Sequence, residues 1–191
     1  YTGQQSVPLL LNFHGFTGTM NHQFNRSRLD LLANRENFIL VTPQGQQVLG
    51  LSRWVLDPIR PNATDDIGFV NVLLDEVIQN FNIDQERIYS TGMSNGGFFS
   101  FELACKLSSR IAAVASVTGT MNDVQLSDCS PQRAVPILQL HGTADDIVEY
   151  ETATRVVNFW RSHNQTNETP NVEIISEDIT HFSYQNINGI P

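Results

Sequence analysis

Around Ser94 the chain reads Arg87-Ile88-Tyr89-Ser90-Thr91-Gly92-Met93-Ser94-Asn95-Gly96-Gly97-Phe98, with a further apolar run to Leu107. The first five residues suit a β-strand, and the run from Phe98 to Leu107 suits a helix. Strand, Gly-x-Ser-x-Gly, helix is the context of a nucleophile elbow, in which a serine sits on a turn too tight for side chains two residues to either side. Such a turn strains its own backbone and projects Ser94 Oγ from the carboxyl edge of a sheet. The N–H of Asn95, at the start of the following helix, can then donate to a developing oxyanion.

Strands and helices alternate on either side of this stretch. Leu9 to Phe13 is an apolar run with one Asn, suited to a strand buried on both faces, and it ends in His14-Gly15-Phe16-Thr17-Gly18. A helix is expected over Gln23 to Asn34 and a strand over Phe38 to Thr42, stopped by Pro43. The irregular stretch from Gln44 to Asn62 holds Trp54, Pro58 and Pro61, and loops of that length tend to be functional. Asp65-Asp66 caps a helix reaching about Asn80, with Phe69, Val72, Leu73, Val77 and Phe81 on its buried stripe; the pair reads as a solvated cap rather than a catalytic carboxylate pair.

Beyond the elbow come strands over Ala112 to Val117 and Val135 to Leu140, the second ending in His141-Gly142-Thr143-Ala144-Asp145-Asp146. An amphipathic helix from Thr152 to His163 carries Val156, Val157, Phe159 and Trp160, and Val172 to Ser176 and Ile179 to Tyr184 read as short strands or loop. Alternation of this kind predicts an α/β fold with a mostly parallel sheet and helices on both faces. Ligands gather at the carboxyl ends of such strands, where the turns at His14-Gly15, Gly92 to Gly97 and His141 to Asp146 converge.

Composition narrows the function. The 191 residues fit a single domain, 1–191, with a sizeable core, and the net charge of −9 opposes contact with nucleic acid or anionic membranes. No apolar run is long enough to span a bilayer. The five histidines show no metal-ligand spacing, so no metal is expected. Sequons stand at Asn25, Asn62, Asn164 and Asn167, of consequence only in a source that glycosylates. The only cysteines, Cys105 and Cys129, permit one disulfide. Cys105 lies about 16 Å down a helix from Ser94, and Cys129 just before the next strand, so both reach the end of the sheet remote from the serine. Their pairing is therefore expected over two free thiols.

A serine hydrolase needs a nucleophile, a base, a carboxylate that orients the base, and two oxyanion donors. Ser94 fills the first role, and the N–H groups of Phe16 and Asn95 the last. Asp145 and Asp146 both follow a strand that could present an acid, with a turn or cap role the ordinary fate of Asp146. His14 and His141 each precede a glycine at a strand end and read as braces of their turns, while His22 and His163 read as surface residues. His181 alone follows both Ser94 and Asp145 in the order Ser, Asp, His. Trp54 reads equally as core or as a platform for substrate.

From Pro8 to about Tyr150 the chain resembles the polyhydroxybutyrate depolymerase and feruloyl esterase family of secreted α/β-hydrolases. The residues that carry this are the His14-Gly15 turn, Trp54, Asp66, Ile83-Asp84 with Arg87-Ile88-Tyr89, Gly92 to Gly97, Cys105, and His141-Gly142-Thr143-Ala144-Asp145. The resemblance implies the α/β-hydrolase fold, Ser94 as nucleophile, Asp145 rather than Asp146 as acid, and an oxyanion hole at Phe16 and Asn95. It also implies a secreted or periplasmic esterase that cleaves polyester, feruloyl or acetyl esters through an acyl-enzyme without a cofactor. Family members begin with an extra hairpin and end with a strand leading into a Gly-Gly-His-x-Trp-Pro-Gly turn that supplies the base. Neither is present here, so the sheet is expected to lack its first hairpin and last strand, the chain to be a fragment of the domain, and the base to lie beyond Pro191 rather than at His181. A peptidase of the same fold and a non-catalytic binding protein on this scaffold are the competing functions.

Overall fold

A computed structural model describes residues 3–56, 63–186 and 189; Pro58, Pro61 and the Asn62 sequon lie outside these. In chain order the elements are β1 (Val7–Phe13), α1 (Met20–Ser27), α2 (Leu29–Glu36), β2 (Ile39–Val41), β3 (Gln47–Val48), β4 (Leu51–Ser52), α3 (Asp66–Asn80) and β5 (Ile83–Met93). They continue as α4 (Asn95–Lys106), β6 (Ala113–Val117), α5 (Asp123–Asp128), β7 (Ile137–Leu140), α6 (Tyr150–Asn164), β8 (Asn171–Ser176) and β9 (Ile179–Ser183). Five strands form one parallel sheet in the order β2-β1-β5-β6-β7. The strand leading to Ser94 is thus central, as ligand binding at a sheet's carboxyl edge requires.

One face of the sheet carries the core. Leu9, Leu11 and Phe13 alternate inward from β1 and join Ile88, Val114 and the helical residues Val70, Leu74, Phe99, Phe101, Leu103, Val156 and Trp160 in a single buried cluster. The other face is covered at β1 by α1, where the buried Asn12 donates to Ser27 Oγ (3.0 Å) and accepts from Gln23 Nε2 (2.7 Å). Helices therefore lie on both faces, as expected. At the β6–β7 end of this second face Val117, Leu138 and Leu140 remain open to solvent. The sheet stops at β7, and β8 and β9 make a separate antiparallel hairpin.

Two helical expectations change. The segment read as one helix is two, because Arg28 takes a left-handed conformation (φ 51°) that ends α1 and starts α2. The buried stripe of α3 is Val70, Leu74 and Val77, whereas Phe69, Val72 and Phe81 are exposed. Asp65 fixes that phase by accepting from Gly68 N–H (2.7 Å) as the N-cap.

Cys105, near the end of α4, and Cys129, just past α5, are joined by a disulfide. Lys106 Nζ beside it bonds Asp128 Oδ2 (2.5 Å) and Asp128 C=O (3.1 Å). With the partners 24 positions apart in sequence, replacing both cysteines by serine is expected to lower stability by about 3 kcal/mol through restored freedom of the unfolded chain. Urea denaturation reads this directly, and an unchanged midpoint would show that the rest of the α4–α5 contact suffices.

Candidate active site

Ser94 is a non-glycine residue at φ 52°, ψ −121°, far from the left-handed well that such residues sometimes occupy. This is local strain stored at one residue, and the surrounding backbone holds it. Ser94 N–H donates to Val117 C=O (2.9 Å), and Ser94 C=O accepts from Gly97 N–H (2.7 Å) and Phe98 N–H (3.0 Å). A Cβ on Gly92 would run into the carbonyl of Gly96, and one on Gly96 into the Phe13 carbonyl oxygen. Ser94 occupies the N-cap of α4, yet its side chain makes no capping bond. A serine there ordinarily accepts from the helix N–H groups. Here the side chain of the half-buried Ser94 has no hydrogen-bond partner among the described residues.

The β1 turn closes on the elbow. A Cβ on Gly15 would lie 3.5 Å from Ser94 Cβ and 3.3 Å from Met93 C=O, so the two turns meet in close contact and a side chain there would press on the Met93 carbonyl. Thr17 N–H and Gly18 N–H are committed to Ser52 C=O (2.8 Å) and Gly15 C=O (3.0 Å). Phe16 N–H and Asn95 N–H, by contrast, have no acceptor among the described residues. Behind the turn, the buried His14 donates from Nδ1 to Gly15 C=O (2.8 Å) and accepts at Nε2 from Gly45 N–H (2.9 Å). Burial lowers its pKa, partly offset by the bond to Gly15, so a neutral ring braces the turn.

The structure corrects the reading of Trp54 as a substrate platform. Its side chain is core, with 1% of the residue exposed. The indole stacks on Phe99 (5.0 Å between centroids), meets Phe13 edge-on (5.0 Å), and donates from Nε1 to His14 C=O (3.1 Å). Asn95 clamps the Trp54 backbone, accepting from its N–H (2.7 Å) and donating to its C=O (3.1 Å). Asp66, expected in a solvated cap, is instead buried and accepts from Val55 N–H (2.7 Å), its pKa raised chiefly by that burial. The loop anchors found at Asn95 and Asp66 have no local signature, since each depends on a partner at least eleven residues away.

Asp145 lies just past β7, at the edge of the sheet that bears Ser94. Its Oδ1 accepts from Ile147 N–H (3.0 Å) and Val148 N–H (2.9 Å). The bond to Val148, then that to Ile147, lowers its pKa against the opposing effect of desolvation, so the carboxylate stays ionised. Asp146 is exposed. His141 braces its turn, as expected, and also stands 3.5 Å from Asp145 Oδ2, a contact that the spacing of the two residues does not announce. His181 is on β9 opposite Glu173 (3.7 Å), both side chains largely exposed. Among the described residues no histidine hydrogen-bonds Ser94 Oγ, and no cluster of three or more His, Cys, Asp or Glu could hold a metal ion.

This site stands on a recognisable framework. A family model described as phospholipase/carboxylesterase matches residues 62–188. The chain belongs to the phospholipase/carboxylesterase family. The chain is 33% identical over 144 residues to a bifunctional acetylxylan esterase/xylanase of Neocallimastix patriciarum, covering 75% of this chain and 20% of that protein. It is 31% identical over 152 residues to feruloyl esterase B of Piromyces equi, covering 78% of this chain and 28% of that protein. The chain thus spans less than a third of the length of these two relatives. Acetyl xylan esterase from Aspergillus awamori shares the fold at a TM-score of 0.74 and 13% identity, over 93% of this chain and 81% of that one. The α/β-hydrolase fold and the esterase side of the sequence resemblance are both upheld.

Proposed function

We propose that this chain carries the nucleophile, acid and oxyanion hole of a serine esterase. Ser94 Oγ attacks the ester carbonyl while the Phe16 and Asn95 N–H groups receive the charge that develops on its oxygen. The alcohol leaves, and water then hydrolyses the acyl-enzyme to release the acid. Asp145 orients the imidazole that shuttles the proton. The observation that carries this reading is the strained Ser94 at the head of α4, its hydroxyl uncommitted among the described residues, with the Gly15 turn packed closely beside it. The acetylxylan and feruloyl esterase relatives favour acetyl or feruloyl esters of a polysaccharide over a polyester. The disulfide favours a secreted or periplasmic setting.

The base is assigned to none of the five histidines here. His14 is enclosed behind its turn, His141 is turned to Val148, and His181 faces Glu173 on an outer hairpin. The test is a fluorophosphonate probe applied to protein expressed from its complete open reading frame. A single phosphonyl adduct on Ser94, located by mass spectrometry, is expected. An inert Ser94 in that protein would overturn the esterase reading in favour of a binding protein, the alternative favoured by the absence of a histidine bonded to Ser94 Oγ.

A further inference from the structure

We propose that His141 is a positioning residue for the Asp145 carboxylate, held in one tautomer by Gln139; the inference rests on the esterase reading above. The cluster begins at Gln139 on β7. Its Nε2 donates to Gly119 C=O (2.7 Å) and lies 3.0 Å from His141 Nδ1. An amide nitrogen has two hydrogens, and these two contacts take both. His141 Nδ1 is therefore an acceptor, and the single ring hydrogen sits on Nε2. That hydrogen points at Val148 C=O, 2.6 Å away.

The alternative amide orientation is worse. It would set Gln139 Oε1 against the Gly119 carbonyl, oxygen to oxygen. The orientation present leaves Gln139 Oε1 buried without a partner among the described residues, so one acceptor is sacrificed to keep both donors where they are.

Val148 is the point of leverage. Its N–H bonds Asp145 Oδ1 and its C=O receives His141 Nε2–H, so the imidazole and the carboxylate grip one residue from two sides. Oδ1 is fully committed to the loop. Oδ2, 3.5 Å from His141 Nε2, is too far for a strong bond and remains the oxygen free to face the catalytic imidazole. The His141 side chain is 2% exposed and Tyr150 closes its edge at 6.2 Å between centroids, so water does not replace its contacts. The same network reaches the nucleophile helix, because Gly119 packs against Gly97: a Cβ on Gly97 would lie 3.1 Å from Gly119 Cα.

The tautomer is tested first on the unmodified protein, by the nitrogen chemical shifts of His141. A protonated Nε2 with a bare Nδ1 supports the proposal, and a protonated Nδ1 overturns it. Kinetics on p-nitrophenyl acetate, with protein from the complete open reading frame, test the positioning. His141→Leu is expected to lower kcat on the order of 10²-fold, the scale of an ångström of misplacement, with KM nearly unchanged. His141→Gln, whose amide can still donate toward Val148, is expected to recover most of that loss and serves where the leucine variant folds poorly.

In an Asp145→Asn background the His141→Leu change is expected to add little, since its effect passes through the carboxylate. Losses that multiply instead, or a folded His141→Leu enzyme with undiminished kcat, would overturn the positioning role. Undiminished kcat in Asp145→Asn alone would overturn the acid assignment beneath it, an outcome distinct from a wrong tautomer in the spectrum.

Discussion

Replacing Ser94 with alanine is expected to abolish ester hydrolysis, by on the order of 10⁴-fold or more in kcat/KM, while the protein stays folded. The two halves of this expectation have separate causes. The hydroxyl is the only group at the elbow able to form the acyl bond, so its removal eliminates the covalent route and leaves only what the oxyanion donors supply. Stability is another matter, because Ser94 Oγ makes no capping bond to α4 and has no hydrogen-bond partner among the described residues. Alanine keeps the Cβ and so inherits the same strain at φ 52°. A change within about 0.5 kcal/mol is expected. Turnover of p-nitrophenyl acetate and a thermal melt, on the same preparation, measure both. Near-normal turnover in a folded Ser94→Ala protein would remove Ser94 from the chemistry.

The elbow is legible in the sequence because its requirements are local. Two glycines flank one serine between a strand and a helix, and each is needed within a span of five residues. The parallel sheet is legible for a similar reason, since alternating strands and helices leave few other arrangements. Trp54 is not. Its burial comes from Phe13, Phe99 and the Asn95 clamp, three partners about forty residues away in either direction, and an aromatic in a long loop looks the same from sequence whether it faces core or solvent.

The phase of α3 escapes the sequence by one position for a related reason. Its apolar residues nearly ring the helix, so the periodic pattern alone does not decide between Phe69 and Val70. Arg28 carries no sign of a helix break, because arginine has no preference for the left-handed conformation that it takes there. Of the site residues, those held by their own turn are readable, and those held by a remote partner are not.

Gly96 offers the sharpest test that these local requirements are physical. Substituting alanine would drive a methyl group into the Phe13 carbonyl oxygen, within 2.6 Å of its carbon and 2.7 Å of His14 C=O. All three are backbone atoms of the central strand's neighbour, and none can swing aside as a side-chain end could. Relief requires α4 to lift from β1 at its first turn, the turn that carries Asn95 N–H and is tied to Ser94 through Gly97 N–H. A loss of about 3 kcal/mol is expected from overpacking against rigid backbone. For a chain of this size that corresponds to a melting temperature lower by roughly 6–12 °C. Activity should fall further than stability does, on the order of 10²-fold in the fraction that remains folded, since the oxyanion donor moves with the helix. Gly142→Ala is the matched control, because a Cβ there meets nothing within 4 Å and its melt should stay at the wild-type value. A Gly96→Ala protein that melts and turns over like wild type would mean that the elbow tolerates a side chain against β1, and that the glycine is not what brings the strand and the nucleophile helix together.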